Sequence, residues 1–154
     1  MKRTKILLAG VLAAIAGGAA AADAQSAGVS AHASRATEVL LRHTSLGSIL
    51  TTSSGFTLYE FTRDRGSEDS CVKVHGCAQA WPALTTSGQP SAGSGVKASL
   101  LSSIRIAGGA RQVTYAGHPL YTYVADSRGS TDYVGVSAFG GYWYALSASG
   151  HTVK

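Results

Sequence analysis

The chain has 154 residues, of which 13 are Lys or Arg and 8 are Asp or Glu, so its formal net charge is +5. Only 14% of the residues are charged and 19 are Gly, whereas an average soluble domain is about 25% charged and about 7% Gly. This composition excludes a disordered polyelectrolyte. It favours strands joined by tight turns over long helices.

The first 24 residues have the features of a secretory signal peptide. Three Lys or Arg residues precede an unbroken run of apolar and small residues at positions 6–22, and Ala22-Asp23-Ala24 is a cleavage pattern. A membrane anchor is the alternative, but 17 residues rich in Ala and Gly fall short of the about 20 strongly apolar residues that span a bilayer. No Cys ends the segment to accept a lipid. We therefore predict export, cleavage after Ala24 and a mature chain without a lipid or a transmembrane span.

Cleavage at this point leaves 130 residues with a formal net charge of +3. The basic residues of the mature chain stand apart from one another, which argues against a nucleic-acid-binding stripe. A chain of this length forms one domain with a real core. We divide it into a flexible tail at 25–37 and a single domain at 38–154. The protein is predicted to be secreted or periplasmic, monomeric, and directed to an unknown envelope or extracellular ligand.

The mature chain contains two copies of one unit, related by a shift of 62 residues. Between positions 51–90 and 113–152, 12 of 40 residues are identical, against roughly two or three expected from ordinary residue frequencies. Repeated units of this kind pack against one another to complete a core. The two repeats are assigned to 39–90 and 101–152.

Both repeats are predicted to be β-structure. In the second, two β-rich runs flank Ala116-Gly117, a two-residue turn that indicates a hairpin. Residues 86–95, rich in Gly and Ser, are predicted to be a linker, and a short helical turn is predicted at 96–101. The predicted strands are 39–42, 49–53, 56–61 and 81–85 in the first repeat and 103–107, 112–115, 120–124 and 142–147 in the second.

A single four-stranded meander of this size would leave one apolar face in water. We therefore predict an all-β fold in which two tandem four-stranded β-meander repeats pack on each other as a sandwich or a barrel. The sequence leaves the choice between these two architectures open.

The sharpest repeated signature is Tyr-x4-Asp, at Tyr59 to Asp64 and at Tyr121 to Asp126. Each Asp follows a predicted strand, where a carboxylate accepts hydrogen bonds from the next backbone N–H groups and fixes the loop. The alternative is a hard-cation site helped by neighbouring acids, but neither loop has the spacing of a calcium loop. We favour the loop-anchoring role and keep the four residues as candidates for a ligand-binding loop. The neighbouring acids are Glu68, Asp69 and Asp132.

Cys71 and Cys77 are the only cysteines, and in an exported chain they are predicted to form a disulfide. The second repeat has Tyr133 and Phe139 at these positions. These two aromatic residues would pack together where the first repeat has a disulfide. A redox pair or a metal site with His75 is the alternative, but redox pairs usually sit two residues apart and a metal site needs more ligands. No cofactor is predicted. The weak metal-ligand candidates are His75, Asp64 and Asp126.

No catalytic constellation stands out in the sequence, which lacks a Gly-x-Ser-x-Gly elbow and any pair of His residues three or four apart. His118, before Pro119, is expected to be partly buried. Trp81 and Trp143 are predicted to be core aromatics, because both repeats place one bulky residue on the same strand. The alternation along Tyr142-Trp143-Tyr144 exposes the two Tyr rings, which suggests a face for sugar or peptide.

These residues together resemble the bacterial secreted-repeat family of predicted lipoproteins, which carries a Tyr-x4-Asp motif in tandem copies. The resemblance rests on the two Tyr-x4-Asp segments, the cysteine pair, Ala80-Trp81-Pro82-Ala83-Leu84, and the segment from Gln112 to Asp126. It covers residues from about 39 to 152. It implies a secreted repeat of unknown function with no catalytic residues to carry over. The chain departs from lipoprotein members by lacking the acylated Cys.

Three functions are weighed from the sequence. The first is a non-enzymatic binding or structural module of the cell envelope or extracellular space, acting through the loops after the two motifs. The second is an extracytoplasmic metal-binding protein, and the third is a hydrolase of envelope polymers with an Asp and His pair. We expect the first.

Overall fold

Short strands dominate the computed structural model of the chain, which describes residues 36–154. The predicted signal peptide and the predicted tail up to residue 35 lie outside the described residues. The helical elements are α1 (Cys77–Ala80) and single 3₁₀ turns at Cys71–Lys73, Ala98–Leu100 and Ala107–Gly109. The strands are β1 (Glu38–Thr44), β2 (Gly47–Thr52), β3 (Tyr59–Phe61), β4 (Thr85–Thr86), β5 (Ser91–Ala92), β6 (Leu101–Arg105), β7 (Arg111–Tyr115), β8 (His118–Pro119), β9 (Val136–Ala138), β10 (Gly141–Leu146) and β11 (Thr152–Val153).

In the described part of the chain the strands form three sheets. The first has the order β2-β1-β5, the second has β11-β10-β3 with β9 also on β10, and the third has β4-β7-β6 with β8 also on β7. All pairs are antiparallel except β1 with β5. Within residues 36–154 the sheets do not close into a barrel, so the predicted all-β class is confirmed and the sandwich is the architecture that fits.

Strand pairing departs from two self-contained meanders, because the repeats exchange strands. β10 of the second repeat pairs with β3 of the first, with Trp143 opposite Phe61. β4 of the first repeat pairs with β7 of the second. The meander prediction assumed that neighbouring strands in the sequence pair with each other. The exchange instead brings the Trp-bearing segments of both repeats to the middle of the molecule, where each buries the other.

The exchange is repeated on both sides of a pseudo-twofold axis near Tyr59 and Tyr121. The backbone N–H of each of these residues donates to the carbonyl of the other at 2.9 Å. Beyond this point, Thr62 N donates to Tyr142 O at 3.0 Å, and at the equivalent position Val124 N donates to Ala80 O at 3.1 Å. The two repeats therefore use the same pairing scheme, with each Tyr segment beside the Trp segment of the other repeat.

Several predicted elements are shorter than expected. The predicted strand at 120–124 is reduced to isolated bridges from Tyr121 to Tyr59 and to Ala83, because it crosses between two sheets. The predicted linker at 86–95 includes the end of β4 and all of β5, which pairs with β1. The turn at Ala116-Gly117 and the helical turn within 96–101 occur as predicted. The strands β9 and β11 were not predicted.

The core has two parts. The first is mainly aliphatic and includes strand residues of all three sheets. The second is mainly aromatic and contains the motif tyrosines, both Trp residues and both Cys residues. The aliphatic cluster is Val39, Leu50, Leu58, Leu101, Val113, Tyr115, Leu120 and Leu146. The aromatic cluster is Tyr59, Phe61, Cys71, Cys77, Trp81, Tyr121 and Trp143.

Candidate functional site

The two Tyr-x4-Asp motifs are joined to each other. The Tyr59 hydroxyl donates to Asp126 Oδ2 at 3.0 Å, and the Tyr121 hydroxyl donates to Asp64 Oδ2 at 3.0 Å. Each Tyr therefore bonds to the Asp of the other repeat rather than to the Asp of its own motif. The four predicted motif residues form one pair of crossed hydrogen bonds about the pseudo-twofold axis.

Both motif tyrosines are fully buried. Burial, followed by the Asp126 carboxylate, raises the pKa of Tyr59 above its ordinary value. Burial and the Asp64 carboxylate do the same to the pKa of Tyr121. Both hydroxyls therefore keep their protons at physiological pH and act as hydrogen-bond donors.

Each motif Asp uses its second oxygen on its own loop. Asp64 Oδ1 accepts from Ser70 N at 2.8 Å, and Asp126 Oδ1 accepts from Ser127 N at 2.9 Å. Burial raises the pKa of Asp64 to about 6, against the opposing effect of the hydrogen bonds from Ser70 and Tyr121. Each carboxylate thus ties the start of one loop to the core of the other repeat.

The two Trp residues stack in the middle of the aromatic cluster. The Trp81 and Trp143 ring centroids lie 4.0 Å apart with an interplanar angle of 4°. Tyr59 meets Trp81 edge-on at 5.1 Å, and Tyr121 meets Trp143 edge-on at 5.2 Å. Both Trp side chains are buried, so the site offers no exposed Trp surface to a ligand.

The Cys71–Cys77 disulfide is present, and both cysteines are fully buried. Because the thiols are bonded to each other, they are not available as metal ligands. In the second repeat Tyr133 packs on Tyr123 with ring centroids 4.3 Å apart. Phe139 packs against the same aromatic cluster.

The weak metal-ligand candidates are not brought together. Asp64 and Asp126 each accept a Tyr hydroxyl, and His75 lies in the loop between the two cysteines. Among residues 36–154 there is no group of three or more His, Cys, Asp and Glu side chains that could hold a metal ion.

Sequence reasoning missed a buried ion pair. Glu60 is 4% exposed, and its Oε2 lies 2.7 Å from Nδ1 of half-exposed His118. Its Oε1 accepts from the Thr152 hydroxyl at 2.5 Å. The hydrogen bond to Glu60 raises the pKa of His118. The sequence did contain one signal for this pair. Glu60 is a charged residue between two aromatic residues of a predicted strand, and the equivalent residue of the second repeat is the uncharged Thr122.

Two surface cavities lie near the ends of the motifs. The first has a volume of about 280 Å³ and includes four residues of the loop after Asp64. The second has a volume of about 290 Å³ and includes Asp126 itself. The first is lined by Ser67, Glu68, Asp69, Val72, Ile104, Arg105, Ile106 and Ala107. The second is lined by Phe56, Thr122, Tyr123, Val124 and Asp126.

The outer face of β10 carries two Tyr rings. The Tyr142 and Tyr144 rings are nearly parallel with centroids 5.8 Å apart, and Tyr142 is 49% exposed. The Lys154 ammonium lies 5.6 Å from the centre of the Tyr144 ring. In the part of the chain that the structure describes, no helix is long and apolar enough to cross a membrane.

The fold and the crossed motifs define a two-repeat β-sandwich in which the repeats exchange strands and hydrogen bonds. A family model described as a secreted repeat of unknown function matches residues 41–85 and 102–147. The chain belongs to this family, and each matched segment lies within one of the two repeats. No curated protein and no solved structure matches the chain.

Proposed function

We propose that the protein is an exported, non-enzymatic and monomeric binding module of the cell envelope or extracellular space, released by cleavage after Ala24. The observation that carries this proposal is the position of two cavities near the motifs, one lined by the loop that follows Asp64 and the other by Asp126 and the segment 122–124 before it. The first cavity thus belongs to the loop after Asp64, whereas the second reaches only the start of the loop after Asp126, so the two are not formed by equivalent residues.

The crossed hydrogen bonds explain how these loops suit binding. Loops carry function when a rigid scaffold positions them, and here each loop begins at an Asp held by a buried hydroxyl of the other repeat. The disulfide further restrains the conformation of the loop after Asp64. Loops that are ordered before binding lose less conformational entropy when a partner docks.

Binding to isolated envelopes of the source cell tests the proposal. We expect the labelled mature protein to sediment with envelopes saturably, and Val72→Lys or Val124→Lys, one in each cavity, to weaken this binding about tenfold or more. Leu46→Lys is the matched control, because Leu46 is also an exposed apolar residue but lies in the β1–β2 turn. Absence of saturable binding, or equal binding by all three variants, would refute the binding role.

A hydrolase of envelope polymers is the second candidate, and the Glu60–His118 pair favours it. A buried carboxylate that holds an imidazole is the usual way to orient a general base. The candidate predicts release of soluble fragments from envelope polymers by the wild type and loss of that release in Glu60→Gln. If purified protein releases no fragments, this candidate is eliminated.

A further inference from the structure

The cavity beside the loop after Asp64 combines apolar walls with two acids, Glu68 and Asp69, and with the exposed Arg105. Its apolar lining includes Ile104, Ile106 and Val72, the last of which is 46% exposed. Glu68, at its rim, already forms an exposed ion pair with Lys73. A volume of about 280 Å³ accommodates one long side chain rather than a bare ion.

Asp69 is the unusual lining residue, because it is 6% exposed and only half satisfied. Its Oδ1 accepts from Val72 N at 3.1 Å, whereas its buried Oδ2 has no hydrogen-bond partner. The neighbouring Tyr121 hydroxyl donates its single proton to Asp64 instead. A buried carboxylate oxygen without a partner is costly. It therefore marks a place for a cationic donor.

The same cavity lies at the C-terminal end of β6, which is the edge of its sheet. β6 pairs with β7 on one side, and within residues 36–154 no strand pairs with its other side. β1 is the counterpart of β6 in the first repeat, and its outer edge is covered by β5, which pairs with it in parallel. In the second repeat the residues equivalent to β5 are 153–154. Val153 pairs with β10, so this segment does not cover the outer edge of β6.

We propose that an extended peptide segment of a partner protein adds to the open edge of β6, as β5 does on β1. A Lys or Arg side chain of that segment enters the cavity and places its cationic head at Asp69. The apolar walls pack on the methylene groups of the side chain, while the carboxylate receives the charge. Backbone groups of the edge strand supply affinity, and the cavity supplies specificity. The inference rests on the proposed binding role of the loop after Asp64.

A positional library of acetylated seven-residue peptides tests the inference on the mature protein. In each sub-library one position is fixed and the others are random, so that no prior sequence is needed. We expect enrichment of Lys and Arg at one position, and a loss of about tenfold or more when the best peptide carries norleucine there. The bound peptide should shift and protect backbone amides of β6 in two-dimensional NMR spectra.

Variants of the protein complete the test. Asp69→Asn keeps an oxygen for Val72 N and should abolish the preference for Lys over norleucine without lowering the melting temperature. Ile106→Lys replaces an apolar wall with a second cation beside Arg105 and should block the peptide. Asp132→Asn, at an exposed acid of the second repeat, should change nothing.

Equal enrichment of neutral and basic residues, an unchanged preference in Asp69→Asn, or binding without shifts in β6 would overturn the inference. The envelope assay separates this outcome from failure of the proposed function. If the peptide library shows no preference for Lys or Arg but the wild type sediments saturably with envelopes, the binding role stands and the cationic peptide is wrong. If the wild type does not sediment at all, the binding role itself fails.

Discussion

The crossed Tyr–Asp hydrogen bonds make the two motifs one structural unit at the level of single residues. Each bond joins a fully buried hydroxyl to a carboxylate that also fixes a loop. Hydrogen bonds to charged groups contribute more to stability than neutral ones. Loss of one hydroxyl should therefore destabilise both the core of its own repeat and the loop that follows the Asp of the other repeat.

Replacement of Tyr121 by Phe should destabilise the protein by about 1–3 kcal/mol, because the Asp64 carboxylate loses a donor in a partly buried setting. Urea unfolding measures the change. Tyr142→Phe is the control, since this ring is half exposed. An equal effect of both substitutions would contradict the role given to the Tyr121 hydroxyl.

Double-mutant cycles distinguish crossed from local pairing. Tyr59→Phe combined with Asp126→Asn should show an interaction energy of about 1 kcal/mol, because the two groups are bonded. Tyr59→Phe combined with Asp64→Asn should be nearly additive, although these residues belong to the same motif. The reverse result would mean that each Tyr pairs with its own Asp.

The raised pKa of Asp64 makes stability depend on pH. The folded protein binds this proton at a pKa of about 6, above the ordinary value of 3.8. The stability that protonation contributes is therefore lost as pH rises from about 4 to about 6. We expect the melting temperature of wild type relative to Asp64→Asn to fall across this window. A constant difference between the two proteins would contradict the expectation.

His118 should act in the same direction at higher pH. Its pKa is raised in the folded state through Glu60, so its stabilising contribution is present below the ordinary value of 6.5 and lost as pH rises above it. His118→Gln should remove this decrease of stability with rising pH. His151→Gln, at an exposed position, should leave the decrease unchanged. Thermal unfolding between pH 6 and pH 9 measures it.

At the scale of elements, sequence patterns predicted local structure better than they predicted pairing. The Ala116-Gly117 turn was predicted because a Gly-containing pair separates two β-rich runs, and the observed φ angles of the pair are 50° and 85°. The exchange of β10 onto β3 was not predicted, because alternating apolar residues fit either neighbour equally well. Which strands pair here depends on which arrangement buries both Trp rings. A pattern of apolar residues along the sequence does not distinguish between these arrangements.

The disulfide supports the element that holds Asp64. Cys71 directly follows Ser70, whose backbone N–H bonds to Asp64, so the closed loop keeps this donor in place. Replacement of both cysteines by Ala should lower the free energy of unfolding by about 2 kcal/mol through loss of the cross-link. Urea unfolding of the double variant, compared with oxidised wild type, measures it, and reduced wild type controls for the packing of the buried sulfur atoms. An unchanged stability would mean that the loop is held by its hydrogen bonds alone.

At the scale of the whole molecule, the internal repeat was the most informative feature of the sequence. It located both motifs, both Trp residues and the boundaries of the family match. It did not predict the Glu60–His118 pair or the unpartnered Asp69 oxygen, because the positions equivalent to these two acids are Thr122 and Thr131. Features that break the symmetry are found only when the folded partners of each residue are known.

The exchanged strands predict that neither repeat folds alone. A cut between Ser94 and Gly95, both exposed, leaves each fragment with a motif Tyr and a motif Asp that lack partners, and with one Trp instead of a stacked pair. We expect both fragments to be unfolded separately and to form a one-to-one complex when mixed. The Trp81–Trp143 stack, with centroids 4.0 Å apart, should give a coupled circular dichroism signal that appears only in the mixture. Tyr59→Phe in one fragment should weaken the complex, because its hydroxyl bonds to Asp126 in the other. Cooperative unfolding of either fragment as a monomer would show that the exchange is not required for folding.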